Sequence, residues 1–125
     1  MTRLDRRRLF LSKLADLVKL AEIHEIPIVI FALYRTAEEQ KKLYDEGKSK
    51  CDGTIKRSRH QDWIAADLGI LNDERTDILW TSPLYDKLGE LAGKLGLTWG
   101  GTFTTTSFTD PYHVELPIES VGGTP

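Results

Sequence analysis

Apolar residues Leu9, Leu11, Leu14, Leu17, Val18, Leu20, Ala21 and Ile23 recur at helical spacing between Arg, Lys, Asp and Glu, predicting a first helix that packs one stripe. The period then changes. "IPIVIFALY", opened by Pro27, is β-branched and continuously apolar, which predicts a buried strand after a short turn. Thr36 begins a second helix, "TAEEQKKLYDEG", with Glu39 three residues on as its capping-box partner and Gly47 as its stop. "KSKCDGTIKRSR" has no period and reads as a surface loop. "WIAADLGIL" predicts a central strand interrupted by Asp67, and "SPLYDKLGELAGKLG" a helix with Ser82 as N-cap, Pro83 at its first position and Gly96 past its end. After "LTWGG" and a Thr-rich polar connection, "TFTTTSFT", the segment "YHVEL" predicts a last strand closed by Pro117. The tail, residues 119–125, is expected to fray. Strands separated by helices, with connections of uneven length, predict an α+β fold with a small antiparallel or mixed sheet.

Composition narrows the classes. With 125 residues, 40% hydrophobic and 29% charged, the chain fits a single folded domain over 1–125. A formal charge of −2 denies it the basic field that phosphate contacts require, so nucleic acid is not an expected partner. No run of eighteen apolar residues predicts a membrane span, and Lys13, Asp16 and Lys19 break the N-terminal apolar pattern, so no export signal is visible. A lone cysteine, Cys51, permits neither an internal disulfide nor a cysteine-based zinc cluster.

Any metal must therefore be held by His, Asp or Glu. Hydrolytic zinc sites use three such ligands and keep a position open for water. His60 and Asp67 in "SRHQDWIAAD" and His113 in "DPYHVEL" could supply them if both segments are strands sharing a face. Asp110, three residues before His113, stands where a general base could reach the same water. A plainer reading of the first segment alone is an ordinary hydrogen-bonded His–Asp pair.

Together the segments "SRHQDWIAAD" and "DPYHVEL" resemble the Ser-x-His-x6-Asp and acid-x-x-His motifs of the D-alanyl-D-alanine carboxypeptidase family, peptidase family M15. "ALYRTAEEQKKLYDEGKS" is similar to that family's Arg-Thr, Gln, Leu-Tyr, Gly segment, so the likeness spans about 28–116. The resemblance implies a peptidase fold of the M15 or hedgehog-like type, with zinc on the sheet bound by His60, Asp67 and His113. It implies Asp110 as proton shuttle, Arg35 as the oxyanion-steadying arginine and Ser58 as a substrate contact. Its substrate would be the peptide stem of bacterial peptidoglycan. Trp63 departs from the pattern, since many relatives carry glycine there, and Asp110 replaces the glutamate of the dipeptidase branch.

Small size and Asp110 favour an endolysin-type L-alanyl-D-glutamate endopeptidase. It would be a monomer made in the bacterial cytoplasm and acting on the wall after release. The rivals are a D-Ala-D-Ala dipeptidase or carboxypeptidase, and a zinc-containing wall-recognition module without catalysis. Other residues have plainer assignments. Arg35 could pair with Glu38 or Glu39 at the surface. Trp63, Trp80 and Trp99 read as core, although Trp99 beside the polar loop could face substrate. Glu115 is expected to hydrogen-bond a ligand, His24 to end the first helix, Arg6, Arg7 and Arg8 to form a solvated face, and Cys51 to be a bystander.

Overall fold

The computed structural model describes residues 1–49, 51–54, 58–102 and 110–117. Among the described residues, three helices, α1 (Arg3–Ile23), α2 (Ala37–Asp45) and α3 (Leu84–Lys94), accompany five strands. The strands are β1 (Ile28–Ala32), β2 (Ala65–Leu71), β3 (Ile78–Leu79), β4 (Thr98–Trp99) and β5 (His113–Glu115), and 3-10 turns lie at Arg59–Asp62 and Gly100–Thr102. Every pairing is antiparallel, in the order β1-β2-β5-β4 with β3 also on β2. The expected α+β class is present, and its sheet is antiparallel rather than mixed. Most of the Thr-rich connection and the tail expected to fray lie outside the described residues.

The central strand is β2. Alternation along it sends Ala66, Leu68 and Ile70 into the core, all fully buried, and sends Asp67 and Gly69 to the opposite face. Helix α1 covers the core with Phe10, Leu14, Leu17 and Ala21. This stripe is narrower than the sequence pattern suggested, because Leu11, Val18 and Ile23 are exposed. Each of the large buried side chains is worth roughly 1.5–3 kcal/mol. Helix α3 adds Tyr85, Leu88, Leu91 and Ala92. The Tyr85 hydroxyl accepts from Ile70 N and donates to Leu79 O, joining α3 to β2 and β3.

Local chemistry explains the helix ends. Thr36 and Glu39 form the expected capping box, and Gly47 follows with φ +75°. Helix α3 starts at Leu84, one residue later than the proline rule predicts, with the Ser82 hydroxyl accepting from Leu84 N. His24 is the exposed C-cap of α1.

Three expectations need correction. Strand β1 is an edge strand, not a buried one: Ile30 and Phe31 are 44% and 43% exposed, and the register slips between Ile30 and Ala32. Apolar content reports a residue's preference, not how many neighbours its strand acquires. Among the tryptophans, Trp80 is exposed against Phe31 and Tyr112, and Trp63 stands outside the core cluster that Trp99 packs against. Finally, Arg6 and Arg7 are half-buried, and Arg7 lies over the Trp63 ring instead of in solvent.

Candidate metal centre

His60, Asp67 and His113 converge on the face of the sheet opposite the core, each buried, with one potential ligand atom apiece within 4.8 Å of the others. Two of them arrive as the pattern predicts: Asp67 on β2 is registered directly against His113 on β5. His60 does not. It sits in the 3-10 turn, not on a strand, and reaches the same place because that turn folds back over the start of β2. Ser58 caps the turn: its hydroxyl accepts from His60 N at 3.2 Å, and its own N–H donates to Gln61 Oε1 at 2.9 Å. The structure thus gives the buried Ser58 hydroxyl a capping contact.

Hydrogen bonds orient both imidazoles. The Nδ1 of His60 lies 3.0 Å from Leu33 O, a group that can only accept, so Nδ1 carries the proton and Nε2 is a lone pair. That Nε2 is buried with no hydrogen-bond partner, although Asp67 Oδ1 stands 3.2 Å away. A lone pair facing a carboxylate oxygen is unfavourable unless a cation lies between them. His113 repeats the arrangement in mirror fashion: Nε2 donates to Glu115 Oε1 at 2.7 Å, and Nδ1 faces the same Asp67 oxygen at 3.2 Å. Glu115 is itself approached by Arg59 Nε at 3.7 Å. Two imidazole nitrogens and one carboxylate oxygen, each backed by a second hydrogen bond, are a donor set that fits zinc.

Electrostatics agree with that geometry. Burial alone would raise the Asp67 carboxyl, but the hydrogen bond from His113 opposes it, and the carboxyl lies well below the usual carboxylate range. His113 moves the other way. Burial opposes its charge, yet Asp67 and Glu115 together raise it to about 9. In the metal-free chain His113 therefore holds a proton at neutral pH where a cation would otherwise sit.

Arg35 does not pair with Glu38 or Glu39. Its NH2 donates to Asp67 Oδ2 at 2.9 Å and its NH1 to Gln40 Oε1 at 3.2 Å. One Asp67 oxygen is thus committed to the guanidinium and the other is left for the imidazoles. Gln40, fully buried on α2, also donates to Ser49 Oγ and Cys51 O, while Gln61 donates to Gly53 O. These two glutamines fasten the loop before the 3-10 turn. Their contribution went unread in the sequence, although "SRHQ" has the Ser-x-x-Gln spacing of a capping box.

Asp110 enters β5 through a tight turn: its carbonyl accepts from His113 N, and its Oδ1 accepts from Tyr112 N. Burial raises its carboxyl, and the charge of Asp67 raises it further. Trp99 is partly buried and braces this turn. Its indole N–H donates to Pro111 O at 2.7 Å and its ring is packed against Gly89 and Gly101, where it supports the turn that carries Asp110. A groove of about 480 Å³ opens beside Arg35, between the end of β1 and α2.

No family model matches the sequence. Solved structures do. The chain aligns over 90% of its length with the L-Ala D-Glu endopeptidase ChiX of Serratia marcescens, at TM-score 0.71 and 19% identity, covering 84% of that chain. A mutant of the vancomycin-resistance D,D-pentapeptidase VanY, from a VanB-type cassette and in complex with Zn(II), aligns over 90% of this chain and 74% of its own at TM-score 0.66 and 19% identity. The LD-carboxypeptidase LdcB aligns at TM-score 0.64 and 17% identity, over 91% of this chain and 66% of its own. The fold is the one these peptidases share, as the motifs implied. Among the described residues no helix is long and apolar enough to cross a membrane.

Proposed function

We propose that the chain is a zinc-dependent peptidase that hydrolyses the peptide stem of bacterial peptidoglycan, cutting between L-alanine and D-glutamate. The observation that carries this reading is the buried triad of His60, Asp67 and His113, with the His60 Nε2 lone pair directed at an anion and lacking a hydrogen bond. The endopeptidase branch draws support from the likeness to ChiX. His60, Asp67 and His113 would hold the zinc, which would supply a Lewis acid for polarising a peptide carbonyl and acidifying water.

The remaining groups have separable tasks. The Asp110 carboxyl, raised by burial, is tuned toward taking a proton from water and returning it to the departing amine. Arg35 holds Asp67 in place through Oδ2, and in this reading its charge would steady negative charge building on the substrate oxygen. Ser58 holds the His60 turn and retains a hydroxyl proton that can be donated to substrate.

Purified peptidoglycan digested with zinc-loaded protein should yield peptides that begin with D-glutamate and glycan bearing terminal L-alanine, read by mass spectrometry. Release of D-alanine or D-Ala-D-Ala alone would assign the carboxypeptidase branch. Zinc binding without any product would leave a recognition module. Absence of zinc binding would remove the reading altogether.

A further inference from the structure

Trp63 has φ 63° and ψ 31°, in the left-handed region that bulky side chains rarely adopt, and it does so immediately after the turn bearing His60. Such a backbone persists only where its surroundings over-determine it. Here the surroundings are aromatic and cationic. The Tyr34 ring lies nearly parallel to Trp63, with centroids 4.7 Å apart and 13° between planes, and the Arg7 guanidinium of α1 stands 5.8 Å from the Trp63 ring centre.

Tyr34 is flanked by residues that serve the metal centre. Leu33 gives the carbonyl that orients His60, and Arg35 donates its backbone N–H to His60 O while its side chain grips Asp67. The stack therefore ties residues 33–35 to the His60 turn through side chains, beside two ties made through the backbone. Neither ring belongs to the hydrophobic core, and Tyr34 is 43% exposed, so the pair adds little to core burial.

We propose that the Tyr34–Trp63 stack, closed by Arg7, is a clamp that positions His60 and Arg35 for the cation and the substrate. Trp63 and Tyr34 are positioning residues, and their effect on metal affinity rests on the zinc reading above. Glycine accepts the left-handed backbone at no steric cost, so Trp63→Gly removes the ring and relieves the strain together. A fold that needed the ring only for stability would lose thermal stability first.

The test compares wild type with Trp63→Gly, Tyr34→Ala and Tyr34→Phe. Zinc affinity is measured by chelator competition, unfolding by thermal melt, and exchange of the His60 Nδ1 proton in metal-free protein by NMR. Trp63→Gly and Tyr34→Ala should weaken zinc binding by about 10-fold or more, the usual worth of a group that orients a ligand. They should also speed the His60 proton exchange, while Tyr34→Phe, which keeps the ring, stays at wild type and Trp63→Gly melts within a few degrees of it. Wild-type affinity and exchange in Trp63→Gly would overturn the clamp, as would equal damage in Tyr34→Phe and Tyr34→Ala. If the wild type itself binds no zinc, the function proposed above fails, and the proton-exchange comparison alone decides the clamp.

Discussion

A proton on His113 Nδ1 competes with a cation for the same lone pair, and the structure sets the size of that competition. Asp67 and Glu115 raise the imidazole to about 9 against the burial that opposes its charge. At pH 7 the proton must leave against a gap of about two pH units, which weakens apparent zinc affinity by roughly 100-fold, or about 3 kcal/mol. The perturbation is pH itself, with Glu115→Gln as its structural counterpart. Affinity measured with a pH-matched competing chelator should rise about tenfold per unit from pH 7 to near 9 and then level off. Calorimetry in buffers of different ionisation enthalpy should count about one proton released per zinc at pH 7. In Glu115→Gln one raising interaction is gone, so the levelling point moves below 9. The metal-free fold has the opposite dependence. A raised imidazole pKa stabilises fully below about 6.5, its unfolded value, and that stability is lost as pH rises through about 9. A zinc affinity that is flat between pH 7 and 9, with no proton release, would refute the reasoning.

Elements defined by local chemistry were legible in the sequence. Thr36 and Glu39 marked the start of α2 because a capping box is a contact within one turn, and "WIAADLGIL" marked β2 because a central strand covered on both faces is apolar almost throughout. The anomaly inside it, Asp67, pointed to the site for the same reason: a carboxylate in a central strand needs partners. What could not be read were relations that side-chain identity does not encode. The edge position of β1 depends on which strand pairs beside it. The two-residue strands β3 and β4 are too short to have a period. The Leu33 carbonyl that fixes the His60 tautomer is backbone, and any residue at that position would present one. The motif brought His60 to the right place for the wrong reason, since a 3-10 turn capped by Ser58, not a strand, delivers it. Ser58 and Gln61 have the spacing of that cap in the sequence itself.

Three further outcomes separate ligand, shuttle and scaffold. Asp110→Asn should keep zinc and fold while lowering turnover by about two to four orders of magnitude, the range for a positioned acid–base group; near-wild-type peptide release from wall would move the role to another residue. Arg35→Ala should leave the triad able to take zinc but release Asp67 Oδ2 and Gln40, lowering turnover together with the order of the 49–54 loop, which limited proteolysis would detect. Gly100→Ala tests whether the turn before β5 is held as tightly as the geometry implies. A Cβ at Gly100 would press on the Asp110 carbonyl and on His113 Cβ, and the carbonyl is backbone that cannot rotate aside. Since that carbonyl also accepts from His113 N, the clash must displace Asp110 and His113 together. Both zinc affinity and turnover should therefore fall in Gly100→Ala, whereas Asp110→Asn lowers turnover alone. A Gly100→Ala protein with wild-type affinity and turnover would mean that the Asp110 turn yields freely, and that neither residue depends on it for its place.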